Sequence, residues 1–285
     1  MAEITAAMVK ELRDKTDVPM MKAKKALVEA NGDMDAAITR LREENKNLQL
    51  KEGRVSAEGL VEAFVREHAQ LGVLIEVNTE TDFVARNDEF AALVRYLAVH
   101  AGQNPTAESV EHLLDAIHHE SGEPARTRYQ EALAKLRENI VVKRFTAFQT
   151  TDGTIGSYVH SNGKIGVLVE LSGDGVDVAD LAKEVAMQIA SQKPKFLTKE
   201  EVPASLVDQE RDIARANAAA DPKNANKPAE IVEKIVEGGL SNFYKGVVLL
   251  EQAYIREPKQ TIAQLVKGKA EIRRFVRFEI GEASA

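Results

Sequence analysis

The chain of 285 residues contains no cysteine and no tryptophan, and aromatic residues make up only 5% of it. Without cysteine, disulfide bonds, thiolate metal sites and thiol catalysis are excluded, which fits a reducing compartment. Basic residues are in the minority, since 38 Lys and Arg stand against 45 Asp and Glu, for a net charge of −7. Affinity for nucleic acid is built on an excess of positive charge, so we expect no nucleic acid as a direct partner.

Long apolar runs are missing as well. No stretch approaches the roughly 20 residues that cross a bilayer, and Met1-Ala-Glu-Ile4 lacks a basic region followed by an apolar one. We therefore expect no membrane contact and a cytoplasmic protein. The composition, 44% hydrophobic and 29% charged, is typical of a soluble globular chain, with room for two domains or one core with appendages.

Motifs of catalysis are also absent. The sequence has no glycine-rich loop of the Walker type, no His-Glu-x-x-His and no Gly-x-Ser-x-Gly. One histidine cluster, His112, His118 and His119, lies in a charged helical segment. No carboxylate spacing completes a ligand set there, so a solvated helix face is favoured over a metal site, and a metal-dependent hydrolase is the least favoured hypothesis. We expect no cofactor, no bound metal and no covalent chemistry.

What the chain does contain is an internal repeat. Residues 59–77 align without a gap to residues 153–171, at a constant offset of 94. Each copy has two β-type runs followed by a segment with apolar residues at helical spacing. The predicted buried helix faces are Phe90, Leu93, Val94 and Leu97 in the first copy and Leu181, Val185 and Ile189 in the second. The repeat predicts a duplicated β-β-α core with antiparallel sheets, of the α+β class.

Together with the repeat, composition and periodicity predict how the whole chain divides into segments. The predicted segments are a three-helix module and linker at 1–53, a first core copy with a helical insertion at 54–143, a second copy at 144–202, a projecting antiparallel helical hairpin at 203–245, resembling a coiled coil, and a C-terminal segment completing the core at 246–285. In the module, Thr5 and Asp33 are predicted N-caps, and Asn31-Gly32 closes the second helix. Gly238-Gly239 is expected to weaken the end of the hairpin's second helix.

The two copies differ in the connection between the second strand and the helix. The second copy crosses with Ser172–Asp177, whereas the first carries the longer Asn78–Glu89, which contains Phe83. In a duplicated scaffold the shared part maintains the fold, so function is the better interpretation of the unshared part. The alternative is that Phe83 packs into the chain's own core and Asp82 caps the helix that begins nearby.

Several separate motifs, in this order along the chain, resemble one family. They are Met20-Met-Lys-Ala-Lys-Lys-Ala-Leu27, Glu29-Ala-Asn-Gly-Asp33, Thr81-Asp-Phe-Val-Ala-Arg-Asn-Asp-Glu-Phe90, Lys227-Pro-Ala-Glu-Ile-Val-Glu-Lys-Ile-Val-Glu-Gly238 and Arg277-Phe-Glu-Ile-Gly281. Together they closely resemble bacterial translation elongation factor Ts over almost the whole chain. The chain departs from that pattern in the linker at 42–49, which lacks a Lys/Ala-rich run, and at Ala23 and Thr79, where cysteine is frequent.

The resemblance implies a guanine-nucleotide exchange factor that binds the GTPase elongation factor Tu in its GDP form and promotes GDP release. It further implies that Phe83 wedges between helices of the G domain near the nucleotide and that Asp82 perturbs the surroundings of the bound Mg²⁺. Thr81 and Val84 would fix the shape of this segment.

The resemblance also implies that the N-terminal module docks on the G domain through Met20, Met21 and Lys24, and that His160 contacts the partner. From the residues alone, a methionine in the module's core and a His160 satisfied at a strand end remain open. So do a homodimer or a 2:2 complex, because the hairpin's apolar stripe packs either internally or across a dimer. The alternative function, from another class, is an adaptor whose three-helix module, which resembles ubiquitin-associated bundles, recognises a protein segment without any nucleotide effect.

Overall fold

A computed structural model describes residues 4, 5, 8, 9, 12, 20–34, 36, 37, 58–224 and 227–282, and of 20–23 the backbone alone. The chain divides into two compact units, Met1–Val55 and Ser56–Ala285. The predicted linker at 42–54, and most of the predicted first and third helices of the module, lie outside the described residues.

The smaller unit has a helix, α1 (Met20–Glu29), and a small apolar core. The buried members of that core are Val9, Leu12, Ala26, Leu27 and Ala37. The predicted caps are confirmed: the hydroxyl of Thr5 accepts from the amide of Met8 at 3.3 Å, and the carboxylate of Asp33 accepts from that of Ala36 at 3.0 Å. After α1, Gly32 has a φ of 86° and donates its amide to the carbonyl of Leu27, which ends the helix as predicted.

The larger unit is a mixed α and β structure. Its strands are β1 (Glu58–Val65), β2 (Leu71–Thr79), β3 (Val141–Gln149), β4 (Gly153–Val159), β5 (Ile165–Ser172), β6 (Ala253–Tyr254), β7 (Glu257–Thr261) and β8 (Ile272–Glu279). Its helices are α2 (Asp82–Ala85), α3 (Asp88–Gln103), α4 (Val110–Asp115), α5 (Ala125–Leu136), α6 (Val176–Gln192), α7 (Ala204–Ala220), α8 (Ala229–Val247) and α9 (Ile262–Val266).

The strands form two sheets of three strands, in the orders β1-β2-β3 and β4-β5-β8, and a small β6-β7 pair. All of these pairings are antiparallel, as the repeat predicts, and the architecture agrees with the α+β class. The predicted boundary between the copies, at 143/144, falls inside β3. Because β3 pairs with β2 from Val141 to Gln149, the first sheet extends to residue 149.

Each sheet is covered on its two faces by different partners. All nine residues of β2 are buried. Val73, Ile75 and Val77 pack with the predicted apolar face of α3, whereas Leu74, pointing the other way, packs against the second sheet. Burial on both faces explains why the first part of β2, Leu71–Ile75, is a continuous apolar run.

The second copy repeats this arrangement. Val167, Val169 and Leu171 of β5 pack with α6, and Leu168 faces the first sheet. Between the sheets lies a cluster whose members are related by the repeat: Val61 and Ile155, Leu74 and Leu168, Phe148 and Phe278. The layers are therefore helix, sheet, sheet and helix, with the two copies packed sheet to sheet.

Two glycines permit this close approach of the sheets. A Cβ on Gly72 would lie 2.6 Å from Cγ2 of Ile155, and a Cβ on Gly166 would lie 2.4 Å from Cγ1 of Val61 and 2.8 Å from Cδ1 of Leu74. These distances are shorter than van der Waals contact. Since the two glycines occupy equivalent positions of the repeat, each copy makes room for the other.

We therefore expect Gly166→Ala to lower the free energy of unfolding of the larger unit by about 1–3 kcal/mol, because an added methyl overpacks the sheet interface. The matched control is Gly238→Ala in α8, where an added Cβ meets nothing within 4 Å. That substitution should stabilise the helix by about 1 kcal/mol. Urea unfolding followed by circular dichroism measures both, and equal midpoints for the two variants would contradict the close approach.

Helices α7 and α8 pack against each other through contacts such as Arg215 to Glu233 at 3.3 Å. Gly238 and Gly239 do not lie at the end of the second helix as expected, because α8 continues past both to Val247; that they weaken the helix stays a prediction. A Cβ on Gly239 would lie 3.0 Å from that of Ala214, so this glycine allows the two helices to approach. No helix within the described ranges is both long and apolar enough to cross a bilayer.

Candidate functional site

The connection predicted to differ between the copies does differ. In the second copy Gly173, Asp174 and Gly175 alone separate β5 from α6. In the first copy residues 80–87 connect β2 to α3, and we call this connection the tip. It contains an extra turn of helix, α2. The tip ends where Asn87 caps α3, its side chain accepting from the amide of Glu89 at 2.8 Å.

Thr81 starts the helix of the tip and is held from two sides. Its hydroxyl accepts from the amide of Val84 at 3.3 Å, the usual N-cap interaction. The same hydroxyl donates to Oε1 of Glu138, and the Thr81 amide donates to Oε2 at 3.1 Å. Thr79, at the end of β2, also donates its hydroxyl to Oε2 of Glu138, at 2.8 Å. One carboxylate therefore fixes the base of the tip.

The short helix α2 has an inner and an outer side. Ala85 is buried, and Val84 packs against the core of the first sheet. Phe83, between Asp82 and Val84, has 83% of its surface exposed, the largest exposed fraction among the large hydrophobic side chains of the described residues. The alternative that Phe83 packs into the chain's own core is therefore wrong, and Thr81, not Asp82, provides the cap.

Asp82 presents a charged group beside this ring. Its carboxylate lies 3.2 Å from the guanidinium of Arg86 one helical turn later, and the two side chains are 46% and 81% exposed. An exposed pair of this kind is worth at most about 1 kcal/mol, so it holds Asp82 only weakly. The tip thus offers solvent a phenyl ring and a carboxylate on a segment whose base is fixed.

His160 opens the turn between β4 and β5 and is exposed. Its Nδ1 lies 2.9 Å from the hydroxyl of Tyr158, so the histidine has a partner within its own copy. The same turn is tied to β1, where Lys164 pairs with Glu58 at 2.7 Å. Because Glu58 lies opposite Thr79 in the sheet, this turn and the tip leave the larger unit at the same end of the first sheet.

The remaining predicted contacts lie in the smaller unit. Met20 and Met21 begin α1, but their side chains lie outside the described residues. Lys24 belongs to the same helix, and its side chain is exposed. These three residues therefore stay predictions, as does the role of His160.

The histidine cluster of the insertion does not form one surface. His112 is exposed on α4, but His118 follows that helix and is buried, with its ring 4.6 Å from that of Tyr96. A solvated helix face is thus the wrong interpretation for His118. The ring centre of buried His100 lies 5.6 Å from that of His118. Burial lowers the pKa of His100, although its hydrogen bond to the carbonyl of Leu113 acts in the opposite direction. In the part of the chain that the structure describes, no group of three His, Asp or Glu residues is arranged to hold a metal ion.

Sequence reasoning missed Glu138, because its partners lie 57 and 59 residues away and leave no local periodicity. It also missed the relation between β3 and β8, for which a signal exists. Lys143-Arg-Phe-Thr-Ala-Phe148 and Arg273-Arg-Phe-Val-Arg-Phe278 share two basic residues and two phenylalanines at the same spacing. The repeat therefore extends to a third strand in each copy, beyond the region that aligns without a gap.

Comparison with known proteins adds an independent finding. Residues 80–282 match the model of a family described as Elongation factor TS. Proteins named Elongation factor Ts are similar over nearly the whole chain: that of Trichlorobacter lovleyi is 38% identical, over 98% of this chain and 93% of its own length. That of Clostridium acetobutylicum is 42% identical, over 98% and 93%, and that of Bordetella petrii is 45% identical, over 99% and 93%.

Proposed function

Because this chain belongs to the elongation factor Ts family, we propose that it is a guanine-nucleotide exchange factor that acts on elongation factor Tu during translation elongation, in the cytoplasm. The observation that carries the proposal is the exposed Phe83 on a tip whose base is fixed. The chain would carry out no covalent chemistry of its own. Its partner would be a GTPase, without direct contact to nucleic acid or membrane.

The proposal requires a coupling between two binding events on the partner. A factor that weakens GDP binding by about a thousandfold needs about 4 kcal/mol of coupling free energy. Linkage is reciprocal, so GDP must weaken the binding of the factor by the same ratio. Substoichiometric factor can then act repeatedly, because each molecule is displaced when new nucleotide binds.

The tip can supply a large part of this coupling. Phe83 is exposed in the free protein, so its burial between helices of a G domain would contribute about 2–3 kcal/mol to the complex with the nucleotide-free partner. Asp82 would bring a negative charge towards the Mg²⁺ that bridges GDP and the GTPase. A change in the surroundings of the ion weakens its bond to the phosphates and so lowers the affinity for GDP.

Other contacts would orient the tip on the partner. We propose that Met20, Met21 and Lys24 bring the N-terminal module onto the G domain, and that His160, whose turn leaves the larger unit at the same end of the first sheet as the tip, adds a contact there. Thr81 and Val84 would act indirectly, by holding α2 in place. A homodimer or a 2:2 complex stays a prediction, in which the apolar stripe of the hairpin packs across two copies.

Stopped-flow release of a fluorescent GDP from elongation factor Tu tests the function. We expect substoichiometric amounts of the chain to accelerate release, and added unlabelled GDP to dissociate the complex of the two proteins. An unchanged release rate at saturating concentrations of the chain would refute the exchange function.

A further inference from the structure

The first copy differs from the second by the tip and also by the helical insertion that carries α4 and α5. These two additions meet. Lys135, in the last turn of α5, pairs with Glu89 just after the tip, and Glu138, two residues beyond α5, binds Thr79 and Thr81 just before Phe83. The insertion thus contacts the chain on both sides of the exposed ring.

The two contacts are unequal. The side chains of Lys135 and Glu89 are 64% and 47% exposed, and such a pair contributes little. Glu138 is half-buried and accepts from two hydroxyls and a backbone amide. An ionised carboxylate accepts all of these bonds through its two oxygens, and bonds to a charged acceptor are among the stronger hydrogen bonds.

The position of Glu138 is itself determined by the fold. Arg137 adopts the left-handed conformation, with a φ of 57°, and its amide donates to the carbonyl of Leu133, which ends α5. The chain then reverses direction, and β3 begins at Val141 opposite Asn78. Glu138 is therefore held beside the end of β2 by a helix end on one side and a strand pairing on the other.

Here we propose that Glu138 is a positioning residue for nucleotide release: it holds Thr81, and through it α2, so that Phe83 is presented in its binding conformation before the partner arrives. This inference rests on the proposed exchange function and deepens it. A segment that is ordered beforehand loses less conformational entropy on binding, and small displacements of a group that acts by position are costly.

The charge state of Glu138 agrees with this role. Partial burial by itself raises the pKa of Glu138, but the hydrogen bonds from the side chains of Thr81 and Thr79 and from the backbone outweigh it and hold the pKa below its ordinary value. The carboxylate is thus in the acceptor form at neutral pH.

The test compares Glu138→Ala and Glu138→Gln with Glu131→Ala, a matched control at an exposed glutamate of α5. We expect Glu138→Ala to lower the maximal rate of GDP release about tenfold and Glu138→Gln to have an intermediate effect, with Glu131→Ala unchanged. Amide hydrogen exchange of residues 80–87 should speed up in Glu138→Ala and not in the control.

A double-variant cycle separates positioning from a general loss of stability. If Glu138 acts through Phe83, then Glu138→Ala added to Phe83→Ala should lower the rate by less than twofold further, whereas independent effects would multiply. Thr81→Val, which removes the hydroxyl that Glu138 binds, should reproduce the loss and serves if Glu138→Ala does not fold.

The outcomes distinguish the two proposals. If the unaltered chain does not accelerate GDP release, the exchange function fails, but faster amide exchange of the tip in Glu138→Ala still supports its positioning role. If Phe83→Ala slows release while folded Glu138→Ala and Thr81→Val do not, the positioning role is overturned and the exchange function stands. Fully multiplicative effects of Glu138→Ala and Phe83→Ala would also overturn it.

Discussion

Replacing Phe83 with alanine is expected to slow the stimulated release of GDP from elongation factor Tu by roughly 30- to 140-fold. The estimate follows from the burial of one phenyl ring, about 2–3 kcal/mol, at about 1.4 kcal/mol for each factor of ten. Because Phe83 is 83% exposed in the free chain, the substitution removes almost no contact within the protein. The unfolding midpoint should therefore stay the same, since such surface changes usually alter stability by less than about 0.5 kcal/mol.

The second copy supplies the control for this prediction. The short connection of the second copy stands where the first copy has the tip. Val176 follows it directly as the first residue of α6, and it is 77% exposed. Val176→Ala should change the release rate by less than about twofold relative to the unaltered chain, because the two methyl groups that it removes are exposed and contribute little to stability or binding. If Phe83→Ala releases GDP as fast as the unaltered chain, or if both variants lose activity equally, the tip is not the element that disturbs the nucleotide site.

The sequence predicts the central part of this fold well, for a physical reason. Strands such as β2 and β5 are buried on both faces and consequently carry runs of consecutive apolar residues, and the helices that cover them carry apolar residues at a fixed spacing. These are local signals, so they survive without knowledge of the tertiary structure. The asymmetry between the copies is visible in the same way, as the extra residues before Asp88.

Features that depend on distant residues could not be predicted in this way. The bonds of Glu138 join the insertion to the tip across almost sixty positions, and the burial of His118 depends on Tyr96 in another helix. The boundary at 143/144 cuts a strand because β3 belongs to the first sheet through pairing alone. In each case the signal is a contact between elements, which no periodicity within either element contains.

The second large effect is expected at a buried carboxylate between the layers. Glu76 of β2 has a fully buried side chain, and it pairs with Arg144 at 2.6 Å and with Lys143 at 3.1 Å. The guanidinium of Arg144 in turn lies 4.1 Å from the ring centre of Phe278 in the other sheet. The second copy repeats the arrangement, with Glu170 paired to Arg274 at 2.7 Å and Arg274 lying over Phe148 at 4.2 Å.

Each ion pair lies within one sheet, and the contacts of Arg144 with Phe278 and of Arg274 with Phe148 link the two sheets. The two pairs are not equally exposed. Arg144 and Lys143 are 20% and 23% exposed, whereas Arg274 is 47% exposed. Burial by itself raises the pKa of Glu170, but its hydrogen bonds, first that of Arg274, hold the pKa below the ordinary value of 4.5. The stability that this carboxylate contributes is thus present above about pH 4.5 and is lost as the pH falls through the lowered pKa.

We therefore expect Glu76→Gln to lower the free energy of unfolding of the larger unit by about 3–5 kcal/mol, the usual cost of leaving a buried cation unpaired. Glu170→Gln should cost less, because water reaches Arg274. Arg273, which also pairs with Glu170 at 3.2 Å, keeps its two bonds to Asp152 at 2.7 and 2.8 Å. Glu233→Gln, in an exposed pair with Arg215, is the control and should cost at most about 1 kcal/mol. Urea unfolding at pH 7 measures all three.

The double variant Glu76→Leu/Arg144→Met separates two causes of destabilisation, an unpaired buried charge and the loss of the packing geometry of the ion pair. It removes the acceptor and the more closely bound cation together, and apolar replacements of buried ion pairs are often neutral or stabilising. It should therefore be more stable than Glu76→Gln alone, although it has lost the contact of Arg144 with Phe278. If it is instead less stable by the sum of the single effects, the pair stabilises the sheet interface by its geometry, and the cost of Glu76→Gln is not that of an unpaired cation.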